Sequence, residues 1–365
     1  MDPSILGLAT AIPSYTFSQD EIFHKLTEIL QLDSQKVTQL KQIYQNSAIR
    51  TRHSVLSDFQ KERAQWLFWG ENYPKIVPGM QSRNEIYKHE APKLAYEAAF
   101  KAIQNWGGDI AKITHIISVS CTGVVAPGIE FSLMSELGLN RSVNRLGINF
   151  MGCFGAFKGL AVSHAFAKSQ LDARILLVCT ELCSLHLQAE INSDNLLANS
   201  LFSDGAAAAI IGAHPHKSEK PLWAIKKNHS WGLENSLDKM AWEAGNHGFF
   251  MKLSPFVPAL IGRHIAPFIT DLLEKDLDST ECDWAIHPGG KSILQAVEKA
   301  MHLERNQTQA SWDTLANHGN MSSATFLFVL ETLLKQQSLR KWVVGTGFGP
   351  GLSIEGILLK KVEEI

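Results

Sequence analysis

The sequence predicts an α/β protein in which strands and helices form alternating layers. Short apolar or alternating segments recur along the chain, and most are followed by a longer segment with apolar residues at helical spacing. Of the 365 residues, 45% are hydrophobic, which is enough for one large core or for two fused, similar halves. The polar stretch 214–221 has the clearest linker composition, so we place a boundary there, between predicted halves 1–214 and 215–365. Strands that alternate with helices are typical of layered α/β folds.

The first predicted half begins with a strand and then alternates between the two kinds of element. Residues 143–150 alternate apolar and polar side chains like a strand, and residues 156–168 repeat apolar side chains at helical spacing. The segment 84–106 is rich in alanine and charged residues, which favours a long helix. Strands are predicted at 5–12, 113–120, 143–150, 175–180 and 206–211, and helices at 19–30, 34–45, 57–69, 84–106, 127–137 and 156–168.

The second predicted half repeats this alternation. Four glycines and one proline in 345–351 separate two apolar strands, which predicts a tight loop rather than a flexible linker. Strands are predicted at 223–231, 249–253, 284–287, 342–345 and 352–360, and helices at 256–273, 293–301, 308–316 and 322–335.

Composition and charge argue against several classes of protein. The formal net charge is −2, and no cluster of lysine and arginine indicates nucleic-acid binding. The first residues lack the features of a signal peptide, and no apolar run approaches the roughly 18 residues of a membrane span. Five cysteines, odd in number and irregularly spaced, predict free thiols in a reducing cytoplasm rather than a disulfide framework. No cluster of cysteine and histidine predicts a metal site.

Cys153 is the strongest candidate for a nucleophile. It lies between a predicted strand and a predicted helix, with Gly152 before it and Gly155 after it. The N-terminus of a helix carries partial positive charge, which stabilises a thiolate. The glycines allow a sharp turn and the close approach of a substrate. The alternative is a buried, inert cysteine.

Two further polar residues mark the ends of predicted elements. His287 ends a strand and is followed by Pro-Gly-Gly, and Asn320 opens an apolar helix. Taken singly, Asn320 is better explained as a plain N-cap, and the alternative for His287 is a packed histidine whose ring nitrogens are satisfied by backbone. A cysteine, a histidine and an asparagine in such positions are explained more simply as one site, which is the interpretation we favour.

Five short blocks of sequence carry a resemblance to a known family. They are Gly-Cys-Phe at 152–154, Leu-Phe-Ser-Asp-Gly-Ala-Ala at 201–207, His-Pro-Gly-Gly at 287–290, Gly-Asn-Met-Ser-Ser at 319–323, and the loop Gly347, Phe348, Gly349, Pro350 and Gly351. They resemble the signature blocks of type III polyketide synthases, the chalcone synthase superfamily, in that family's order. The last block is specific to the family, whereas those with Cys, His and Asn are shared with ketoacyl synthases. The resemblance implies a thiolase-like fold with two similar layered αβαβα halves, and a homodimer.

The resemblance also implies an acyltransferase that needs no cofactor, because its substrates are acyl-CoA and malonyl-CoA. Cys153 would hold the acyl group as a thioester, with His287 favouring a thiolate–imidazolium pair. His287 and the Asn320 amide would stabilise the enolate that forms when malonyl-CoA loses carbon dioxide. We expect repeated condensation, followed by cyclisation to a pyrone or a phenolic ring.

The resemblance further implies which residues line the substrate cavity. Phe202 is expected to be a gatekeeper between a CoA tunnel and the cavity. Ala126 stands where plant enzymes carry a methionine that reaches into the partner's cavity, so this smaller side chain predicts more room. The other predicted wall residues are Cys121, Cys183, His186, Phe249 or Phe250, and Ser322.

The predicted contacts to the CoA phosphates depart from the family's pattern. Gln39, Gln42 and Asn46 stand where plant relatives carry lysine or arginine. Other cations are expected to substitute for them, namely Lys36, Lys41, Arg50, Arg52 and Lys291.

Three other functions are compatible with parts of the sequence. A ketoacyl-carrier-protein synthase III-like enzyme would share the three candidate residues but perform one condensation. A papain-like protease has the same order of Cys, His and Asn, but its cysteine lies near the mature N-terminus in a Cys-Gly-Ser-Cys context that this chain lacks. A non-catalytic binding protein of the same fold is disfavoured because all three reactive residues are present.

For the starter, the sequence favours a medium- or long-chain fatty acyl-CoA. Ala126 and the run 183–186 predict a roomy cavity, and Cys121 offers an apolar, polarisable wall. The alternative is a tetrahydroxynaphthalene- or phloroglucinol-type synthase that uses malonyl-CoA alone.

Overall fold

The computed structural model of the protein describes residues 2–213, 219–274 and 277–362. The strands in these ranges are β1 (Ser4–Ala11), β2 (Tyr15–Ser18), β3 (Thr51–Ser54), β4 (His115–Ser120), β5 (Asn144–Asn149), β6 (Arg174–Leu182), β7 (Asp204–Gly212), β8 (Trp223–Gly232), β9 (Met240–Gly245), β10 (Gly248–Leu253), β11 (Cys282–Ile286), β12 (Trp342–Gly349) and β13 (Ser353–Lys361). The helices are α1 (Gln19–Ile29), α2 (Ser34–Asn46), α3 (Met80–Trp106), α4 (Ile129–Glu136), α5 (Gly155–Ser169), α6 (Ser193–Leu201), α7 (Val257–Leu272), α8 (Lys291–Met301), α9 (Arg305–His318) and α10 (Thr325–Gln336). The predicted boundary between residues 214 and 215 lies outside the described residues, so it stays a prediction.

The strand order repeats in the two parts of the chain. The orders β1-β7-β6-β4-β5 and β8-β13-β12-β11 form two arms of one nine-stranded sheet. In each arm the first two pairs are antiparallel and the third is parallel. The arms join where Ser4 and Ile5 of β1 pair with Ala224 and Trp223 of β8. This repeated topology confirms the predicted pair of similar halves, with β5 as an additional edge strand.

Three buried apolar clusters define the helical layers. Helix α3 covers the outer face of the first arm, α7 and α8 cover the outer face of the second, and α5 and α10 lie between the arms. In the central layer the rings of Phe157 and Phe326 are 4.1 Å apart. Helical and sheet layers thus alternate, with one sheet arm on each side of the central helices α5 and α10, which is the thiolase-like arrangement. This arrangement places the N-termini of α5 and α10 in the interior of the protein.

The predicted helix at 57–69 is wrong. This segment contains only two short 3-10 turns, Asp58–Gln60 and Arg63–Gln65. The buried Asp58 carboxylate accepts the backbone N–H groups of Leu67, Phe68 and Trp69 at 3.2, 2.8 and 2.9 Å. A side chain that binds backbone N–H groups in this way competes with helix formation.

The glycine-rich segment before residue 351 is strand rather than loop for most of its length. Strand β12 continues through Gly349 and pairs with β13, so the turn is confined to the residues that follow. A Cβ at Gly347 would lie 2.3 Å from the Phe157 ring, and one at Gly349 would lie 2.5 Å from the Phe154 ring. The glycines therefore let α5 and the turn before it pack directly on β12.

Four elements have no counterpart in the sequence prediction: β2, β3, α6 and β9. Strand β9 pairs antiparallel with the predicted β10 and completes a hairpin. Its sequence, Met-Ala-Trp-Glu-Ala-Gly, lacks the run of β-branched residues that marks a strand. Pairing across the hairpin, rather than local preference, decides its structure.

None of the helices in the described ranges is long and apolar enough to cross a membrane. Within those ranges, no group of three or more His, Cys, Asp and Glu side chains is arranged to hold a metal ion. The five cysteines are free and buried.

Candidate active site

Cys153 lies in the turn that leads from β5 into α5. It is part of a 3-10 turn, Gly152–Phe154, that ends where α5 begins, which confirms its predicted position at a helix N-terminus. Gly152 has a φ of 67°, and a Cβ there would come within 2.7 Å of the Pro350 ring. The residues after β12 therefore pack closely against the turn that contains Cys153, and position 152 favours glycine on both counts.

His287 follows the last residue of β11 directly, and its side chain is buried. Its backbone N–H donates to the Thr346 carbonyl at 2.7 Å, and its carbonyl accepts the Gly289 N–H at 2.9 Å. Among the described residues, neither ring nitrogen has a hydrogen-bond partner, although His287 is only 1% exposed. Buried polar atoms are normally satisfied. The backbone contacts thus hold an imidazole whose two nitrogens are left for a substrate.

The Asn320 amide is held in one orientation. Its Oδ1 accepts the Ser322 N–H at 2.9 Å and the Thr325 hydroxyl at 3.4 Å. Its Nδ2 donates to the Gly289 carbonyl at 3.3 Å and lies 3.9 Å from Cys153 Sγ. Asn320 therefore presents a donor to the sulfur. It is not a plain N-cap, because α10 begins at Thr325 and its N-cap is Ala324.

Burial disfavours charge on both ionisable members of the site. It raises the pKa of the Cys153 thiol to about 11, although hydrogen bonds from Ser322 and Asn320 oppose the shift. It lowers the pKa of the His287 imidazole to about 3. Neither group is therefore charged by itself at neutral pH. The predicted thiolate–imidazolium pair can form only by transfer of the thiol proton, which leaves the net charge of the site unchanged.

Cys153, His287 and Asn320 share one cavity of about 520 Å³, which we call the outer cavity. This volume is in the range of small-molecule sites. Its wall is largely apolar and comes from α2, α6, α7, α8 and the β9–β10 hairpin, for example through Ile43, Leu197, Val257, Ile293 and Met251. An elongated molecule with a flexible, mostly apolar arm could reach the three polar residues along such a wall.

Two smaller cavities lie beyond Phe202. The first inner cavity, of about 20 Å³, is lined by Cys153 and ten other residues, and the second, of about 50 Å³, extends to Phe17, Ile22 and Phe59. Phe202 lines both inner cavities and the outer cavity. The side chain predicted as a gatekeeper thus lies where all three cavities meet.

The predicted wall residues divide between these cavities. Cys121, Cys183 and Ser322 line the first inner cavity, and Cys183, His186, Phe249 and Phe250 line the second. The His186 ring is already satisfied, because Nε2 lies 2.8 Å from the Thr122 carbonyl and Nδ1 accepts the Phe249 N–H at 3.0 Å.

The cavity beside Cys121 is small, because Trp242 of β9 occupies space there and its Nε1 donates to the Cys121 carbonyl at 2.7 Å. Ala126 is exposed and lines none of the three cavities of its own chain, so its effect on a partner's cavity stays a prediction. The sequence prediction missed Trp242 because it missed the strand that carries it.

Of the five predicted CoA-binding cations, one lines the outer cavity and four do not. Lys291, the first residue of α8, lines the outer cavity, whereas Lys36, Lys41 and Arg50 are exposed residues outside its wall. The prediction is wrong for Arg52, because its buried guanidinium donates to the carbonyls of Asn199 and Phe202 at 2.7 and 3.0 Å.

Glu181 is a buried acid of the site that the sequence reasoning missed. Its carboxylate accepts the Cys121 N–H at 3.0 Å, the Thr122 hydroxyl at 2.8 Å and the Ser323 hydroxyl. Burial raises the pKa of Glu181. The signal that could have found it is a carboxylate inside the apolar run of β6. Its hydrogen bonds link the segment that follows β4 to the turn before α10, and Cys121 and Thr122 of that segment line the first inner cavity.

Comparison with known proteins gives matches along the whole chain. The profile for "Chalcone and stilbene synthases, N-terminal domain" matches residues 2–215, and the profile for the C-terminal domain of the same enzymes matches residues 232–363.

Two curated relatives match nearly all of this chain. "Probable polyketide synthase 1" of Dictyostelium discoideum is 34% identical over 98% of this chain, which spans 11% of that protein's length. "Alpha-pyrone synthesis polyketide synthase-like Pks18" of Mycobacterium tuberculosis is 30% identical over 97% of this chain and 90% of that protein.

Two solved structures have the same fold. The C-terminal type III polyketide synthase domain of Steely1, a type I/III hybrid from Dictyostelium, superposes with a TM-score of 0.94 at 33% identity, covering 100% of both chains. PKS-I from the brown alga Ectocarpus siliculosus gives a TM-score of 0.92 at 31% identity, covering 99% of this chain and 98% of that one.

Proposed function

As this chain belongs to the chalcone and stilbene synthase family of type III polyketide synthases, we propose that it elongates an acyl-CoA starter with malonyl-CoA through repeated decarboxylative condensation. One observation carries the proposal. A buried thiol, an unpartnered imidazole and an oriented amide donor, from Cys153, His287 and Asn320, line the same cavity. No cofactor is needed beyond the CoA thioesters.

In the loading step, Cys153 Sγ attacks the thioester carbonyl of the starter. The thiol proton passes to His287, whose ring nitrogens have no other partner among the described residues. CoA leaves with that proton, and the acyl group remains as a thioester on Cys153. The lowered pKa of His287 favours return of the proton to the leaving group, because burial destabilises the imidazolium.

In the extension step, malonyl-CoA loses carbon dioxide and leaves an enolate. His287 and Asn320 Nδ2 donate hydrogen bonds to the enolate oxygen, so neither has to remove a proton. The enolate carbon attacks the acyl-Cys153 carbonyl. The products are a β-ketoacyl-CoA two carbons longer and a thiolate on Cys153, which accepts a proton from solvent.

For the product we propose an alkylpyrone, formed when the chain cyclises after two or more extensions. One relative is named for alpha-pyrone synthesis, which supports this choice over a phenolic ring. A single condensation of the ketoacyl-synthase kind is the competing function. A second competing function is polyketide synthesis from malonyl-CoA alone, without an acyl-CoA starter. The small volume of the first inner cavity favours this function over the use of a long starter.

Mass spectrometry of products from a panel of acyl-CoA starters with malonyl-CoA tests the proposal. We expect masses that correspond to the starter plus two or more two-carbon units, less the water or CoA lost on cyclisation. β-Ketoacyl products with one added unit would favour single condensation. Products that contain no starter would favour a malonyl-only synthase.

We further propose that the protein is a homodimer joined at β5. Strand β5 is an edge strand of the nine-stranded sheet and is exposed along most of its length. Apolar side chains are exposed in this region, including Leu146, Phe150 and Met151 at 38, 43 and 38%. A second copy of β5, related by a twofold axis, would pair the edge and cover these side chains.

Analytical ultracentrifugation tests the dimer with a matched pair of variants. The wild-type protein should sediment as a dimer, and Leu146→Glu should shift it toward the monomer, because it places a charge in the proposed interface. Leu339→Glu serves as control, because Leu339 is 97% exposed at a position outside β5. A monomeric wild-type protein at micromolar concentration would contradict the proposal.

The five free thiols are consistent with a reducing compartment. On that basis we propose that the protein acts in the cytoplasm.

A further inference from the structure

We infer that Trp242 determines how long an acyl chain fits behind Cys153, because it closes the passage between the two inner cavities. The inference rests on the proposed acyl-CoA-dependent function. It concerns which chains are accepted and leaves the chemistry unchanged.

The two inner cavities are neighbours with a common wall. Cys183, Phe202, Trp242 and Met251 each line both of them. Cys153 lines the first inner cavity and does not line the second. An acyl chain on Cys153 that grows inward must therefore pass this wall to reach the second inner cavity.

Trp242 is held in position by contacts on several sides. Its Nε1 donates to the Cys121 carbonyl at 2.7 Å. Its ring centroid lies 5.7 Å from that of Phe249, 5.8 Å from that of His186 and 6.3 Å from that of Phe202. Of the shared wall residues, Trp242 has the largest side chain, so its removal would open the most space.

The second inner cavity is suited to an apolar chain. Its far end is formed by Phe17, Ile22 and Phe59. Several of its polar wall groups are already partnered within the protein: Arg52 Nη1 by backbone carbonyls, Ser184 by Asp204, and His186 by Thr122 and Phe249. A methylene chain would thus leave these hydrogen bonds intact.

Trp242 can be replaced without disturbing the main cores. It is half-buried and lies in the two-stranded hairpin of β9 and β10, outside the three apolar clusters that hold the layers together. A change there should affect the cavities more than the fold.

The test compares kcat/KM for hexanoyl- and dodecanoyl-CoA starters in the wild-type enzyme and in Trp242→Ala. Each methylene admitted to an apolar site improves kcat/KM by about fourfold at most. We expect the dodecanoyl-to-hexanoyl ratio to rise at least tenfold in Trp242→Ala. Trp242→Phe keeps a ring but loses the N–H donor, so it should raise the ratio less.

Trp231→Ala is the matched control, because Trp231 is also a half-buried tryptophan but packs on Phe268, away from both inner cavities. In this control variant, the dodecanoyl-to-hexanoyl ratio of kcat/KM should equal that of the wild-type enzyme. If Trp242→Ala does not fold, Trp242→Leu replaces it, with the same expected direction. An unchanged ratio in a folded variant that still forms polyketides would overturn the inference. Absence of starter-derived product from the wild-type enzyme would instead contradict the proposed function.

Discussion

Cys153→Ala is expected to abolish the acyl-enzyme and all starter-derived polyketide. Intact-protein mass spectrometry after incubation with an acyl-CoA should show the added acyl mass on the wild-type chain and none on the variant. The reason is positional: Cys153 is the cysteine at the N-terminus of α5, with the Asn320 amide 3.9 Å from its sulfur. Loss of a catalytic nucleophile can cost on the order of 10⁶-fold in rate.

Two companion variants make this result specific. Cys282→Ala removes another buried thiol, which lies in β11, and this variant should gain the acyl mass as the wild-type protein does. Cys153→Gln should retain decarboxylation of malonyl-CoA without condensation, because His287 and Asn320 are still present to stabilise the enolate. Acyl mass on the alanine variant, or polyketide formation by it, would assign the nucleophile elsewhere.

His287→Ala and Asn320→Ala are expected to separate loading from decarboxylation. In Asn320→Ala, release of carbon dioxide from malonyl-CoA should fall by about 10²–10³-fold, the typical cost of one lost donor to a developing oxyanion. Loading of the starter should remain largely intact. In His287→Ala both steps should fail, because the imidazole is needed as an enolate donor and as the acceptor of the thiol proton.

The pH dependence of loading distinguishes the two roles of His287. Without the imidazole, Cys153 must ionise alone, and burial raises its pKa to about 11. Raising the pH converts thiol to thiolate, so loading by His287→Ala should recover about tenfold per unit between roughly pH 7 and 10. Asn317→Ala, which alters an exposed amide near Asn320, is the control for local disturbance. Equal loading defects in His287→Ala and Asn320→Ala would mean that the roles are divided incorrectly.

The buried Glu181 links two segments that line this site. It accepts hydrogen bonds from the end of β4 and from the turn that carries Ser323, so it links residues on both sides of Cys153. A buried carboxylate is costly unless it is satisfied in this way.

Local sequence was sufficient to identify the three candidate residues and their elements. Cys153, His287 and Asn320 each lie next to a strand or helix end, and periodicity and glycine reveal such ends within a few neighbouring residues. Most strands and helices could also be predicted from local sequence. Burial of one face of an element makes apolar residues recur at a spacing typical of a helix or of a strand. The incorrect helix prediction at 57–69 shows the limit of local sequence. There the Asp58 carboxylate accepts a backbone N–H from about ten residues away, and no periodic pattern records that contact.

Tertiary structure alone decided the volume and walls of the cavities. Trp242 fills the space beside Cys121 through a contact between residues 121 positions apart, and Arg52 is withdrawn from solvent by carbonyls roughly 150 positions away. Such contacts leave no period or short motif in the chain. The chemistry of this site is therefore readable from its local residues, whereas the size of the substrate depends on how distant segments pack together.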